Sequence, residues 1–160
     1  MSSSSLENEH DRPSAPLDCA EQLFIEMIRQ VQEERVGDVS FFNASIDDSG
    51  VGFSVSAFGG GDILGHIVGE WVVQRGHGLG QRGRDRLVRR GWTLPEEDGV
   101  EVSAPSCNWD GITSRADRQH IAQEMLSVAM DIYDLSEGRK IRFQLRLDGT
   151  RDTPTEAQTE

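Results

Sequence analysis

The stretch "DVSFFNASIDDSGVGFSVSAF", residues 38–58, decides the class of fold. Its second half alternates strictly, with apolar residues on one side of the extended chain and glycine or serine on the other. The apolar positions are Val51, Phe53, Val55 and Ala57. This alternation is typical of an antiparallel strand with one buried face. The turn formers "DDSG" at 47–50 join it to a strand over 38–46, so a hairpin is predicted.

Two further strands extend the predicted sheet. The turn "GGGD" leads into "ILGHIVGEWVV", residues 63–73, where Gly65 and Gly69 indicate a bulge, strong twist or a closely packed helix. Near the other end, "KIRFQLRLD" at 140–148 alternates apolar residues with arginine and glutamine. Short turns between consecutive strands favour a meander over a parallel crossover.

Helical periodicity marks three segments. The first is "PLDCAEQLFIEMIRQVQEERVG", residues 16–37, with apolar residues at helical spacing. A short helix is predicted after Gly80 as far as about Arg90, where Gly91 ends it. The third, residues 113–135, has Ser114 as its N-cap and is predicted to end at Gly138.

The predicted order of elements is α-β-β-β-α-(β)-α-β. The bracketed strand lies at Val100–Ser103 or around Asn108 and Trp109. This order predicts an α+β fold, an antiparallel sheet of about five strands with helices packed mainly on one face.

Composition separates one domain from two tails. Residues 1–16 and 148–160 are polar, charged and proline-containing without apolar periodicity, so both are predicted to be disordered. One domain is therefore expected over residues 17–147. The net charge of -12 disfavours general binding to nucleic acid or to an anionic membrane.

The chain carries no sign of export or membrane insertion. It lacks an apolar run of the roughly 18 residues that a membrane-spanning helix needs, and its N-terminus lacks the pattern of a signal peptide. Cys19 and Cys107 are too few for a disulfide framework. We therefore expect a cytoplasmic protein with reduced thiols.

No motif specifies a reaction. Gly78, Gly80 and Gly83 match the spacing of a dinucleotide-binding loop, but no parallel βαβ unit surrounds them. The histidines form no pair at metal-binding spacing and no cysteine lies close to one: His10, His66, His77 and His120. We therefore expect no catalytic site, no metal and no cofactor.

An arginine cluster reverses the sign of charge locally. Six arginines fall within sixteen positions, with Asp85 as the only acid among them: Arg75, Arg82, Arg84, Arg86, Arg89 and Arg90. One interpretation is a solvated helix face that balances nearby acids. The other is a binding surface for an acidic partner, and the net charge of the chain favours a protein over a nucleic acid.

Beyond these patterns, the chain resembles a known family over about Val39 to Leu147. A short helix ending in "RLVRRGW", a proline, an "NW" pair, a long helix ending in a tyrosine and a closing strand carry the resemblance. The matching positions are Leu87, Gly91, Trp92, Pro95, Asn108, Trp109 and Tyr133. The chain thus resembles the actinobacterial TY-Chap family, relatives of type III secretion chaperones and of YbjN proteins. The resemblance implies a chaperone-like α+β fold, protein binding and frequent dimers, without catalytic residues.

Together these observations predict a non-enzymatic domain that holds or docks a partner protein. The alternatives are a nucleic-acid-associated regulator that uses the arginine-rich helix 82–90, and an enzyme with an unrecognised site. Trp92 and Trp109 are expected to anchor the polar loop between them, with Trp109 beginning a strand and Asn108 bonding the turn.

A homodimer is also predicted. It would be held by the apolar stripe of the first helix and by uncovered apolar strand residues: Ile46, Phe58, Leu64 and Val68. The alternative is a salt-sensitive dimer formed by the arginine helix.

Overall fold

The computed structural model describes residues 13–34, 40–68, 81–94 and 105–147. Within these ranges the chain forms one antiparallel sheet of six strands and three helices. The elements in chain order are β1 (Ser14–Pro16), α1 (Glu21–Glu33), β2 (Ser40–Ile46), β3 (Gly52–Ala57), β4 (Ile63–Val68), α2 (Gln81–Arg89), β5 (Ser106–Trp109), α3 (Arg115–Ser127) and β6 (Lys140–Arg146). The predicted α+β class is confirmed.

The strands lie in the order β1-β6-β2-β3-β4-β5, and every neighbouring pair is antiparallel. The predicted hairpin is present, with Phe42 opposite Val55. The last strand, β6, returns beside β2 and places Phe143 opposite Ala44. Side chains on alternate positions of the central strands are buried, so one face of the sheet carries the core.

The sixth strand corrects the predicted domain boundary. Ser14–Pro16, which the composition assigned to the disordered N-terminal tail, pairs with β6 at the edge of the sheet. The Phe143 amide donates to the Pro13 carbonyl at 2.9 Å, and the Leu17 amide donates to Arg139 at 2.9 Å. These are main-chain bonds, which need no apolar pattern, and a proline is tolerated in an edge strand. Residues 1–12 and 148–160, the rest of the predicted tails, lie outside the described residues.

Helix α1 closes the core through Phe24. Its ring meets the rings of Phe42 and Phe143 edge-on, with centroids 5.6 and 5.3 Å apart. Most of the apolar stripe of α1 is used in this contact and in the packing against α3; its buried residues are Phe24, Ile25, Met27, Ile28 and Val31. Helices α1 and α3 therefore cover the same face of the sheet, as predicted.

Helix α3 begins as predicted and ends early. Ser114 caps it, accepting a hydrogen bond from the Asp117 amide at 3.1 Å. The helix then widens into a π-helical turn at Val128–Ile132 and stops there, not at Gly138. Asp134 has a φ of 58°, so the chain leaves the helix through a left-handed residue that is not glycine.

The two tryptophans that flank the polar loop meet in the core. Trp92 is buried, and its ring lies edge-on to that of Trp109 with the centroids 6.2 Å apart. Trp109 is the last residue of β5 and not the first residue of a strand, as the sequence had predicted. It pairs with Ile63, the first residue of β4. Asn108 is exposed and pairs with Leu64 in the sheet. The loop before it, residues 95–104, lies outside the described residues, so the predicted bond of Asn108 to the turn stays a prediction. The alternative strand at 100–103 and the predicted end of the third strand, 69–73, lie outside the described residues.

Candidate functional site

Helix α2 carries four of the six candidate arginines, Arg90 follows it directly, and Arg75 lies outside the described residues. Leu87 is the buried residue of the helix and turns it toward the core. The helix packs against the π-helical turn that follows α3. Because a helix turns about 100° per residue, fixing Leu87 inward decides where each arginine points.

Arg90, just after α2, points inward and is structural. Its guanidinium donates two hydrogen bonds of 3.0 Å to the Glu124 carboxylate and one of 2.8 Å to the Ser127 hydroxyl. Glu124 also accepts the indole N–H of Trp92 at 2.8 Å. These bonds to Glu124 raise the pKa of Arg90. The arginine therefore ties the end of α2 to α3 and is removed from the candidate binding set.

Arg82, Arg86 and Arg89 form the part of the cluster that faces outward. Their spacing of four and three residues places them on one side of α2, along about 10 Å of helix. Arg82 and Arg89 are exposed and Arg86 is half-buried. In the part of the chain that the structure describes, none of the three makes a hydrogen bond or ion pair. We call these three residues the arginine stripe.

Arg84, the remaining arginine of α2, does not belong to the stripe. Arg84 lies on the other side of α2, is half-buried and interacts within the chain. Val88, which is 54% exposed, follows Arg84 by one helical turn and so lies away from the stripe as well. Asp85, the acid of the helix, accepts a hydrogen bond of 2.8 Å from Gln81. The side of α2 that carries the stripe thus combines three arginines, which have no ion pair among the described residues, with the exposed Asp85.

A second surface was not predicted from the sequence. The start of α1 and the end of α3 enclose a depression of about 240 Å³ with an apolar floor and an acidic rim. Leu17, Leu126 and Met130 form the floor, and Asp18, Glu21 and Asp131 stand at the rim. We call this the acidic depression. Its residues come from segments about 100 positions apart, so no local pattern in the sequence marks it.

The apolar surface expected to hold a dimer is mostly internal. The stripe of α1 and Ile46 are buried in the protein's own core. Leu64 and Val68 are half-buried, and Phe58 is 39% exposed. Among the described residues, Phe58 and Val88 are the exposed large apolar side chains. Part of the expected apolar surface is thus internal, part of it stays accessible among the described residues, and the homodimer stays a prediction.

Three side chains of types that commonly take part in catalysis have shifted pKa values: His66, Cys107 and Cys19. Burial lowers the pKa of His66, which lies on the sheet face opposite the core. Burial raises the pKa of the Cys107 thiol, and the neighbouring Asp18 raises that of Cys19, which disfavours the reactive thiolate of both. Over residues 13–34, 40–68, 81–94 and 105–147, no group of three or more metal-ligating side chains comes together.

No helix among the described residues is long and apolar enough to cross a bilayer. Comparison with known proteins gives no match, whether with family models, with curated sequences or with solved structures.

Proposed function

We propose that this chain is a non-enzymatic, chaperone-like domain of the cytoplasm that holds an acidic segment of a partner protein on the arginine stripe of α2. The observation that carries the proposal is the position of Arg82, Arg86 and Arg89 on one side of α2, without a hydrogen bond or ion pair to another described residue. Cations left free on a folded surface bind acidic groups at little cost, since no existing ion pair must break. The resemblance to the TY-Chap family supports the same proposal.

The stripe is held rigidly, which favours binding. Arg90, Glu124 and Trp92 form a partly buried set of hydrogen bonds at the C-terminal end of α2. The side chains of Arg90 and Glu124 are only 29% and 16% exposed. A binding helix that is already fixed loses less conformational entropy when a partner docks.

The charge distribution favours a protein partner over a nucleic acid. With a net charge of -12, the molecule as a whole repels a polyphosphate. The stripe covers only about 10 Å, and nucleic-acid surfaces commonly add stacking aromatic side chains to a wider basic field. The exposed residues of α2 include no aromatic side chain.

The proposal is tested with a labelled glutamate-rich peptide as the probe, measured by fluorescence anisotropy. The triple variant Arg82→Ala/Arg86→Ala/Arg89→Ala should weaken binding roughly tenfold to a hundredfold, because each exposed pair contributes modestly. Lys140→Ala, at an exposed position on β6, is the control and should bind like the original protein. Equal binding by the triple variant would contradict the proposal, as would tighter binding of a single-stranded oligonucleotide than of the peptide.

A further inference from the structure

Asp85 lies at the edge of the arginine stripe, on the same side of α2. It follows Arg82 by three residues and precedes Arg89 by four, so these three side chains span about 60° of the helix circumference at about 100° per residue. Asp85 is exposed, and its carboxylate accepts a hydrogen bond of 2.8 Å from the Gln81 amide. The outward side of α2 is therefore not uniformly positive.

Asp85 does not neutralise the arginines beside it. Residues three or four positions apart on a helix commonly form ion pairs. Among the described residues, however, neither Arg82 nor Arg89 forms an ion pair with Asp85, whose hydrogen-bond partner is the neutral Gln81. A segment that binds to the stripe therefore meets three cations and one anion as separate groups.

We infer that Asp85 selects the partner of the stripe: the acidic segment that binds there is a helix with one basic residue opposite Asp85. The inference rests on the proposed function, since it takes the stripe as the binding surface. A carboxylate placed opposite Asp85 is repelled, whereas a lysine there is attracted. Charges of the same sign brought together at an interface suppress binding of the wrong partner, so Asp85 disfavours a uniformly acidic segment.

The spacing of the charges favours a helical partner. Two helices side by side both rise by about 1.5 Å per residue, so carboxylates at the same intervals as the arginines meet all three together. In an extended segment the side chains on one face recur about every 6.6 Å. That distance is close to the roughly 6 Å between Arg82 and Arg86 along α2 but not to the roughly 4.5 Å between Arg86 and Arg89.

Two synthetic helical peptides test the inference, with binding measured by fluorescence anisotropy. The lysine peptide has glutamates at the positions that face Arg82, Arg86 and Arg89 and a lysine at the position that faces Asp85. The glutamate peptide has a fourth glutamate in place of that lysine. Each is also made with its sequence reversed, because two helices pair in either direction. In one direction, the original protein should bind the lysine peptide more tightly.

Asp85→Asn separates the role of this carboxylate from the overall charge of the peptides. The variant should bind the lysine peptide about threefold more weakly and the glutamate peptide about threefold more tightly, because exposed charge pairs contribute modestly. The preference for lysine should thus fall roughly tenfold. Asp85→Lys should bind the glutamate peptide more tightly still. Far-ultraviolet circular dichroism checks that each variant is folded.

Asp48→Asn is the matched control. It removes an exposed carboxylate from the turn between β2 and β3, and asparagine tolerates the φ of 58° at this position. It should leave the preference for the lysine peptide unchanged. A proline in the middle of the lysine peptide, which breaks its helix, should weaken binding at least tenfold.

The outcomes separate the inference from the proposed function. If Asp85→Asn changes the affinity for both peptides equally, or if the proline peptide binds as tightly as the lysine peptide, the inference is wrong and the proposed function stands. If neither peptide binds, or if Arg82→Ala/Arg86→Ala/Arg89→Ala binds both as the original protein does, the proposed function is wrong and the inference with it.

Discussion

Replacing Trp92 with alanine should cost this domain about 4 kcal/mol of unfolding free energy, because three kinds of contact end at once. Trp92 is only 2% exposed, so the substitution leaves a cavity between α2 and the sheet. Its ring loses the edge-on contact with Trp109 at 6.2 Å. Its indole N–H also loses the 2.8 Å bond to Glu124.

The magnitude follows from these contacts taken together. Truncation of a buried tryptophan costs about 3–5 kcal/mol, and an edge-on aromatic pair adds about 0.5–1.5 kcal/mol. A hydrogen bond to a charged group contributes about 1.5–3 kcal/mol. The sum overstates the effect, because Glu124 keeps both bonds from Arg90 and is not left unpaired. We therefore expect Trp92→Ala to lower the free energy of unfolding by about 4 kcal/mol, which lies within the range for truncation of a buried tryptophan.

Urea unfolding followed by far-ultraviolet circular dichroism is the suitable assay, since removing a tryptophan changes the fluorescence signal itself. Trp92→Phe is the matched variant: it keeps most of the buried ring but cannot donate to Glu124. It should lose about 1–2 kcal/mol. A loss below about 1 kcal/mol for Trp92→Ala would refute the packing argument and would mean that the ring contributes little to the core.

Two further predictions concern a close contact and a half-buried histidine. A Cβ on Gly52 would lie 2.5 Å from the Ala44 carbonyl oxygen, whereas one on Gly65 would meet the flexible end of Met125 at 2.4 Å and the Trp109 ring at 3.1 Å. Gly52→Ala should therefore cost about 2–3 kcal/mol and Gly65→Ala about 1 kcal/mol in urea unfolding, and the reverse order would contradict this. Because burial lowers the pKa of His66 below its ordinary 6.5, the unfolded chain takes up this proton first on acidification. Its contribution to stability is complete above pH 6.5, declines below that value and is lost as the pH falls through the lowered pKa of the folded state. His66→Gln should therefore reduce the drop in melting temperature on acidification; an unchanged pH profile would argue against it.

The sequence predicted the hairpin, the first helix and the cap of the last helix, because each depends on residues that are close together in the sequence. Alternation across Phe53 and Val55 and the helical spacing around Phe24 are local patterns, and Ser114 needs only the amide three residues later. The early end of α3 has no such signal, since it depends on a left-handed Asp134 and on packing of the π-helical turn against α2.

Sites that join distant segments were beyond the reach of these patterns. The edge strand β1 depends on main-chain bonds to β6, more than a hundred residues away, and its side chains show no alternation. The acidic depression is assembled from Asp18, Glu21 and Asp131, whose nearness is a product of the fold.

The sequence by itself determined that this chain has an α+β fold and that its arginines are concentrated in one short helix. Only the tertiary structure decided which of them are free to bind. Leu87 is drawn into the core, and the turn of the helix then carries Arg90 toward Glu124 while it leaves Arg82 and Arg89 in solvent. Composition records how many charges a segment has, but their roles depend on which neighbours the packing of distant segments brings within hydrogen-bonding distance.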